Sequence, residues 1–169
     1  FLCLSNAQTQ CHWERSSAPH GKSTYLPNRK QPMIEVSIDI KASRTQVWQA
    51  WIHPSHIVHW YFASPDWCCP HAQMDVNSGG SFCIRMEAKD GSFGFDFKAT
   101  FSKVLEESTL NYTLEDGRLV EVNFSSSHEG TQVVWKFDPE SENPVELQQQ
   151  GWQAILHNFK TYVEQFLVA

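Results

Sequence analysis

A chain of 169 residues has room for one domain, and a composition that is 41% hydrophobic and 13% aromatic excludes a disordered protein. Its net charge of −6 is unevenly spread: Arg15, Lys22, Arg29 and Lys30 against Glu14 give residues 1–32 a charge of +3, which leaves −9 for the rest. An acidic body without a basic stripe argues against nucleic acid as a partner, and no window approaches roughly eighteen apolar residues, so no membrane span is expected.

Residues 1–32 are rich in Ser, Asn, Gln, Thr and Pro and end in Pro27-Asn28-Arg29-Lys30-Gln31-Pro32, which favours neither helix nor paired strand. They read as a flexible leader, and Met33 opens a single domain over residues 33–169. Ile34, Val36, Ile38 and Ile40 alternate with polar residues as a half-buried strand. Ser43 and Gln46 have capping-box spacing and open a short helix through Val47, Trp48 and Trp51. Pro54 stops that helix and starts a second, which ends near Trp60.

Strands follow, separated by turn signals. Phe82, Ile84, Met86 and Ala88 form one apolar face, and Asp90-Gly91 marks a hairpin. Phe93, Phe95, Phe97, Ala99 and Phe101 form the next; Leu110, Tyr112 and Leu114, then Val120, Val122 and Phe124, then Val133, Trp135 and Phe137 complete the series. A short strand near Met74 and Val76 adds a possible seventh. Alternation with short turns predicts an antiparallel meander with one dry face. Asn143 as cap, Pro144 at the first position and Glu146 predict the start of a long C-terminal helix, whose Leu147, Trp152, Ile155, Phe159, Tyr162 and Phe166 recur at helical spacing. A helix of about twenty residues, roughly 30 Å long, can lie across a curved sheet and be gripped by it. The fold class expected is α+β, a curved antiparallel sheet of six to seven strands around that helix.

This order of elements resembles the SRPBCC superfamily, which includes START domains and the birch-pollen allergen fold. The stretches Ala42 to Trp51, Ile57-Val58-His59-Trp60-Tyr61, Asp75 to Phe82 and Gly151-Trp152 look like the family named after activators of the heat-shock protein 90 ATPase. The resemblance covers about residues 34–168 and implies a helix-grip fold with an internal cavity. Members that stimulate the chaperone carry a separate N-terminal chaperone-binding domain, whereas only 32 residues precede the match here.

Five cysteines, at positions 3, 11, 68, 69 and 83, show no disulfide framework, and the apolar run at the N-terminus is too short for a signal peptide, so the cytoplasm is the expected compartment. Cys68 and Cys69 are adjacent and cannot bridge without strain. Cys83 falls on the polar phase of its strand, and structural roles are expected for the cysteines. His53, His56 and His59 are spaced by three, but the outer pair diverges on a helix and Pro54 makes His53 a boundary residue; solvated positions are expected, and no metal. Glu87, Asp96 and Glu121 fall on polar strand phases, leaving Tyr112 and, near the helix face, His157 as inward polar groups. With so few pocket acids or bases, no catalytic residue and no cofactor are assigned.

The favoured expectation is a binding module for a small hydrophobic molecule, lined by Phe82, Phe95, Phe97, Tyr112, Trp135, Trp152, Ile155 and Phe159. Trp60, Phe62 and Trp67 would lie near its mouth, as the resemblance implies. Gly151 inside the long helix has two readings, close packing against a strand or room for a ligand, and packing is favoured. Two alternatives from other classes are a partner of a heat-shock chaperone that stimulates its ATPase, and a cyclase- or hydratase-like enzyme acting on an apolar ring substrate.

Overall fold

The computed structural model describes residues 32–167. Apart from Pro32, the expected leader lies outside them. The order of elements is β1 (Ile34–Ile40), α1 (Arg44–Ile52), α2 (Pro54–Ile57), β2 (Trp67–Met74), β3 (Ser81–Ala88), β4 (Gly94–Leu105), β5 (Thr109–Leu114), β6 (Leu119–Ser126), β7 (Thr131–Phe137) and α3 (Val145–Phe166). All seven strands form one antiparallel sheet in the order β1-β7-β6-β5-β4-β3-β2. Its alternating apolar face curls around α3, giving the α+β helix-grip architecture expected of the sequence. No helix among the described residues is long and apolar enough to cross a membrane.

The capping box at α1 forms as its spacing predicts: the Gln46 amide donates to Ser43 Oγ at 3.3 Å, and the Ser43 amide donates to Gln46 Oε1 at 3.1 Å. Two local expectations differ. The edge strand β2 starts at Trp67, well before Met74, because a bulge between Cys68 and His71 absorbs Cys69 and Pro70 and hides the alternation. The start of α3 is held differently as well. No side chain caps it; Asn143 Nδ2 instead donates to Glu140 Oε1 at 2.6 Å. The buried Gln148 amide ties the first turn to the preceding loop. It donates to the carbonyls of Glu140 and Asn143 at 3.1 and 2.8 Å and accepts from the Glu140 amide at 2.9 Å.

β1 is the other edge strand, and α3 seals it. Gln149 and Gln153 donate to the carbonyls of Glu35 and Ser37 at 3.0 and 3.2 Å, and Lys160 donates to that of Asp39. Alternate carbonyls of a strand lie roughly 6.7 Å apart and four helical residues rise about 6 Å, so a helix running alongside can satisfy them in sequence. The middle of the interior is solid with aromatic rings. Trp51 lies with its centroid 5.1 Å from Trp60 and 5.0 Å from both Trp135 and Phe159, while Trp135 and Trp152 are 4.4 Å apart.

Candidate binding site

The interior is open at one end of α3. A pocket of about 230 Å³ lies between the N-terminal half of that helix, β3 and β4, and the segment leading into β2. Two small residues on α3 create it. A Cβ placed on Gly151 would meet nothing within 4 Å, and Ala154, one turn along, adds only a methyl group. Trp152 and Ile155 supply the helix wall, Met86 and Phe95 the sheet wall, and Ala63, Ser64 and Trp67 the third side. Gly151 therefore stands beside open space; the packing expected of it is not there, because among the described residues nothing comes within 4 Å of where its Cβ would be.

Its polar character is low. Among the described residues, Ser64, Gln148 and Gln150 are the polar side chains of the lining, none of them charged, and the Gln148 amide is already engaged at the helix start. An aromatic rim continues outward from it. Trp67 lies 6.0 Å from both Phe93 and Phe95, and Phe93 is 41% exposed. Phe93 belongs to the turn rather than to the strand face expected of it. Gly91 takes a φ of +73°, and the Phe93 carbonyl accepts from the Ala88 amide at 2.8 Å, so the ring projects beyond the sheet.

Of the residues expected to surround a ligand, Trp67, Phe95, Trp152 and Ile155 meet at this pocket. Trp60, Trp135 and Phe159 are fully buried in the aromatic core instead; Trp60 donates its indole N–H to the Ala50 carbonyl at 3.2 Å and lies 4.5 Å from Phe159. Phe62 is half-buried, and its carbonyl accepts from Asn158 at 2.6 Å. Phe82 and Tyr112 line a separate small void with Trp60 and Tyr61, and Phe97 contacts Tyr61 and Phe82 of that void and Trp152 of the pocket. Small residues at helix spacing, Gly151 and Ala154, were the available signal for the pocket's position.

The other titratable groups are structural in their contacts. His157 is exposed, with Nδ1 2.8 Å from the Gln153 carbonyl of its own helix, and does not reach the pocket. Of the histidines of the α2 region, His53 and His59 are exposed, as expected, and His56 is half-buried: its Nδ1 lies 2.7 Å from the Tyr162 hydroxyl, and His59 stacks on the same ring at 5.4 Å. His53 Nε2 lies 2.7 Å from Gln49 Oε1. Glu87 and Asp96 sit on the outer face, bonded by Arg85 at 3.2 and 3.4 Å. Cys68 and Cys69 are free thiols, and burial pushes that of Cys69 up to about 12, which makes it a poor nucleophile at neutral pH.

A curled antiparallel sheet gripping one long helix, with an apolar pocket at the helix's open end, defines a helix-grip domain of the SRPBCC kind. Residues 41–164 match the family described as Activator of Hsp90 ATPase homolog 1-like protein, and the chain belongs to that family. It is similar to the AHSA1-like protein from Aeromonas hydrophila, at 42% identity and a TM-score of 0.77, over 81% of this chain and 95% of that one. A protein from Cytophaga hutchinsonii is 45% identical, with a TM-score of 0.69, over 80% of this chain and 94% of its own. One from Nitrosomonas europaea, at 15% identity and a TM-score of 0.70 over 82% and 97% of the two chains, shares the fold. No curated protein matches the chain.

Proposed function

We propose that the domain binds a small, uncharged, apolar molecule in the pocket beside Gly151. The observation that carries this reading is the pocket itself, about 230 Å³ walled by Trp67, Met86, Phe95, Trp152 and Ile155. A cavity of about 150 Å³ lined by such side chains takes benzene, so a two-ring hydrocarbon of about ten non-hydrogen atoms suits this one. A carboxylate or ammonium group would lose its hydration with no opposite charge in the lining to replace it. Among the described residues the lining also holds no acid, base or thiol, which favours binding over catalysis.

Naphthalene is the direct probe, followed by titration in solution together with native mass spectrometry of the protein as purified. Saturable 1:1 binding is expected. Gly151→Phe should weaken it by tenfold or more while keeping the native melting temperature, since the new side chain enters open space. Failure of the wild-type protein to bind, or unchanged affinity in the variant, would remove the pocket as the site.

A further inference from the structure

Behind the pocket lies a second feature that apolar binding does not use. Tyr61 follows α2 in a turn held by its own amide, which donates to the Ile57 carbonyl at 3.1 Å. Its ring is buried, 5.2 Å from Trp60 and 6.0 Å from Trp135. Among the described residues its hydroxyl has no hydrogen-bond partner. A buried polar group left in that state is uncommon and costly, and calls for a reason.

Tyr112 approaches from β5. Its oxygen accepts the Trp135 indole N–H at 3.1 Å, which leaves the phenolic proton to be donated elsewhere. Both tyrosines line one void of about 10 Å³, otherwise walled by Trp51, Ile57, Phe82 and other apolar side chains. That volume is close to the smallest that admits an oxygen-sized group. Burial raises the pKa of both phenols above the ordinary tyrosine value, so each stays a neutral O–H. Two neutral donors inside an apolar shell suit an uncharged acceptor, since an anion there would remain uncompensated.

The rings of Phe97 and Trp135 bridge this chamber and the pocket: Trp135 lies 4.4 Å from Trp152 and 6.0 Å from Tyr61. Phe97 lies 5.7 Å from Trp152, a pocket wall, and 5.9 Å from both Tyr61 and Phe82 on the chamber side. We propose that Tyr61 and Tyr112 are specificity-determining residues: they receive the carbonyl or hydroxyl oxygen at the inner end of the bound molecule, with the Phe97 ring turning aside to admit it. The ligand class is then an apolar ring compound bearing one neutral oxygen. This rests on the pocket reading above and adds a polar requirement to it.

Two near-isosteric probes separate the ideas, 2-ethylnaphthalene and 2-acetylnaphthalene, each titrated by calorimetry into the wild-type protein, Tyr61→Phe and the double variant Tyr61→Phe/Tyr112→Phe. The ketone is expected to bind about five- to tenfold more tightly to the wild type, the worth of one buried hydrogen bond. In Tyr61→Phe the preference should shrink, and in Tyr61→Phe/Tyr112→Phe it should vanish, while hydrocarbon affinity stays the same. The carbonyl stretch of the bound ketone should move to lower frequency in the wild type and not in the double variant. Equal affinity for the two probes in the wild type, or a preference undiminished in Tyr61→Phe, would overturn the assignment and leave the apolar pocket standing. Binding of neither probe would overturn both.

Discussion

His56 shows how one side chain can tie stability to pH. It sits where α2 meets the last turns of α3, against Tyr162, with His53 and His59 as its charged neighbours when they protonate. Burial first, then the charges of His53 and His59, hold its pKa below 6.5. The unfolded chain therefore takes up that proton more readily than the folded one. The contribution is complete above the unfolded value of 6.5 and is lost as pH falls through the lower folded value. Thermal melts between about pH 5 and 8 should show the wild type losing stability on the acid side, with His56→Gln flatter across that window. Identical slopes would show that other groups govern the acid limb.

Among the elements, α3 carries three tasks at once on different faces. Trp152, Ile155 and Phe159 fill the interior, Gly151 and Ala154 leave the pocket open, and Gln149, Gln153 and Lys160 cover the free edge of β1. Uncovered strand edges pair with other chains, so the glutamines protect as well as stabilise. Replacing both Gln149 and Gln153 with alanine should cost about 1–2 kcal/mol, read as a lower denaturant midpoint, since each exposed bond contributes at the lower end of the usual range. Light scattering should show more self-association in the variant than in the wild type. The helix itself was legible from its apolar spacing; the role of its polar glutamines was not, because nothing local marks a side chain that reaches an edge carbonyl more than a hundred residues away.

At the scale of the molecule, the aromatic content divides between a solid core and an open end. Trp60 belongs to the first: fully buried, hydrogen-bonded to the Ala50 carbonyl, and in ring contact with Trp51, Tyr61 and Phe159. Trp60→Ala should therefore cost about 3–5 kcal/mol, a large part of a typical domain's stability. Where the variant still folds, naphthalene affinity should stay near the wild-type value, because Trp60 does not line the pocket. A normal denaturant midpoint with lost binding would instead place Trp60 at the ligand. The aromatic strand phases of Phe82, Phe97, Tyr112 and Trp135 marked the inward face correctly, yet none of the four lines the apolar pocket, because an inward ring in an interior this full packs mostly on other rings.

The architecture was readable from the chain because it depends on local rules. Period-two alternation, turn residues and the Ser43 capping box each act within a few residues, and together they define strands, helices and their order. Only β2 escaped, since Pro70 and the bulge beside it break the alternation that would announce a strand. Where the interior stays empty was decided by tertiary structure. A cavity is the space left after every side chain from seven strands and three helices has been placed, so its position beside Gly151 depends on which rings meet across the fold. The same holds for the unpartnered Tyr61 hydroxyl: hydrogen bonding is a matter of what the fold brings within reach, and sequence spacing carries no record of it.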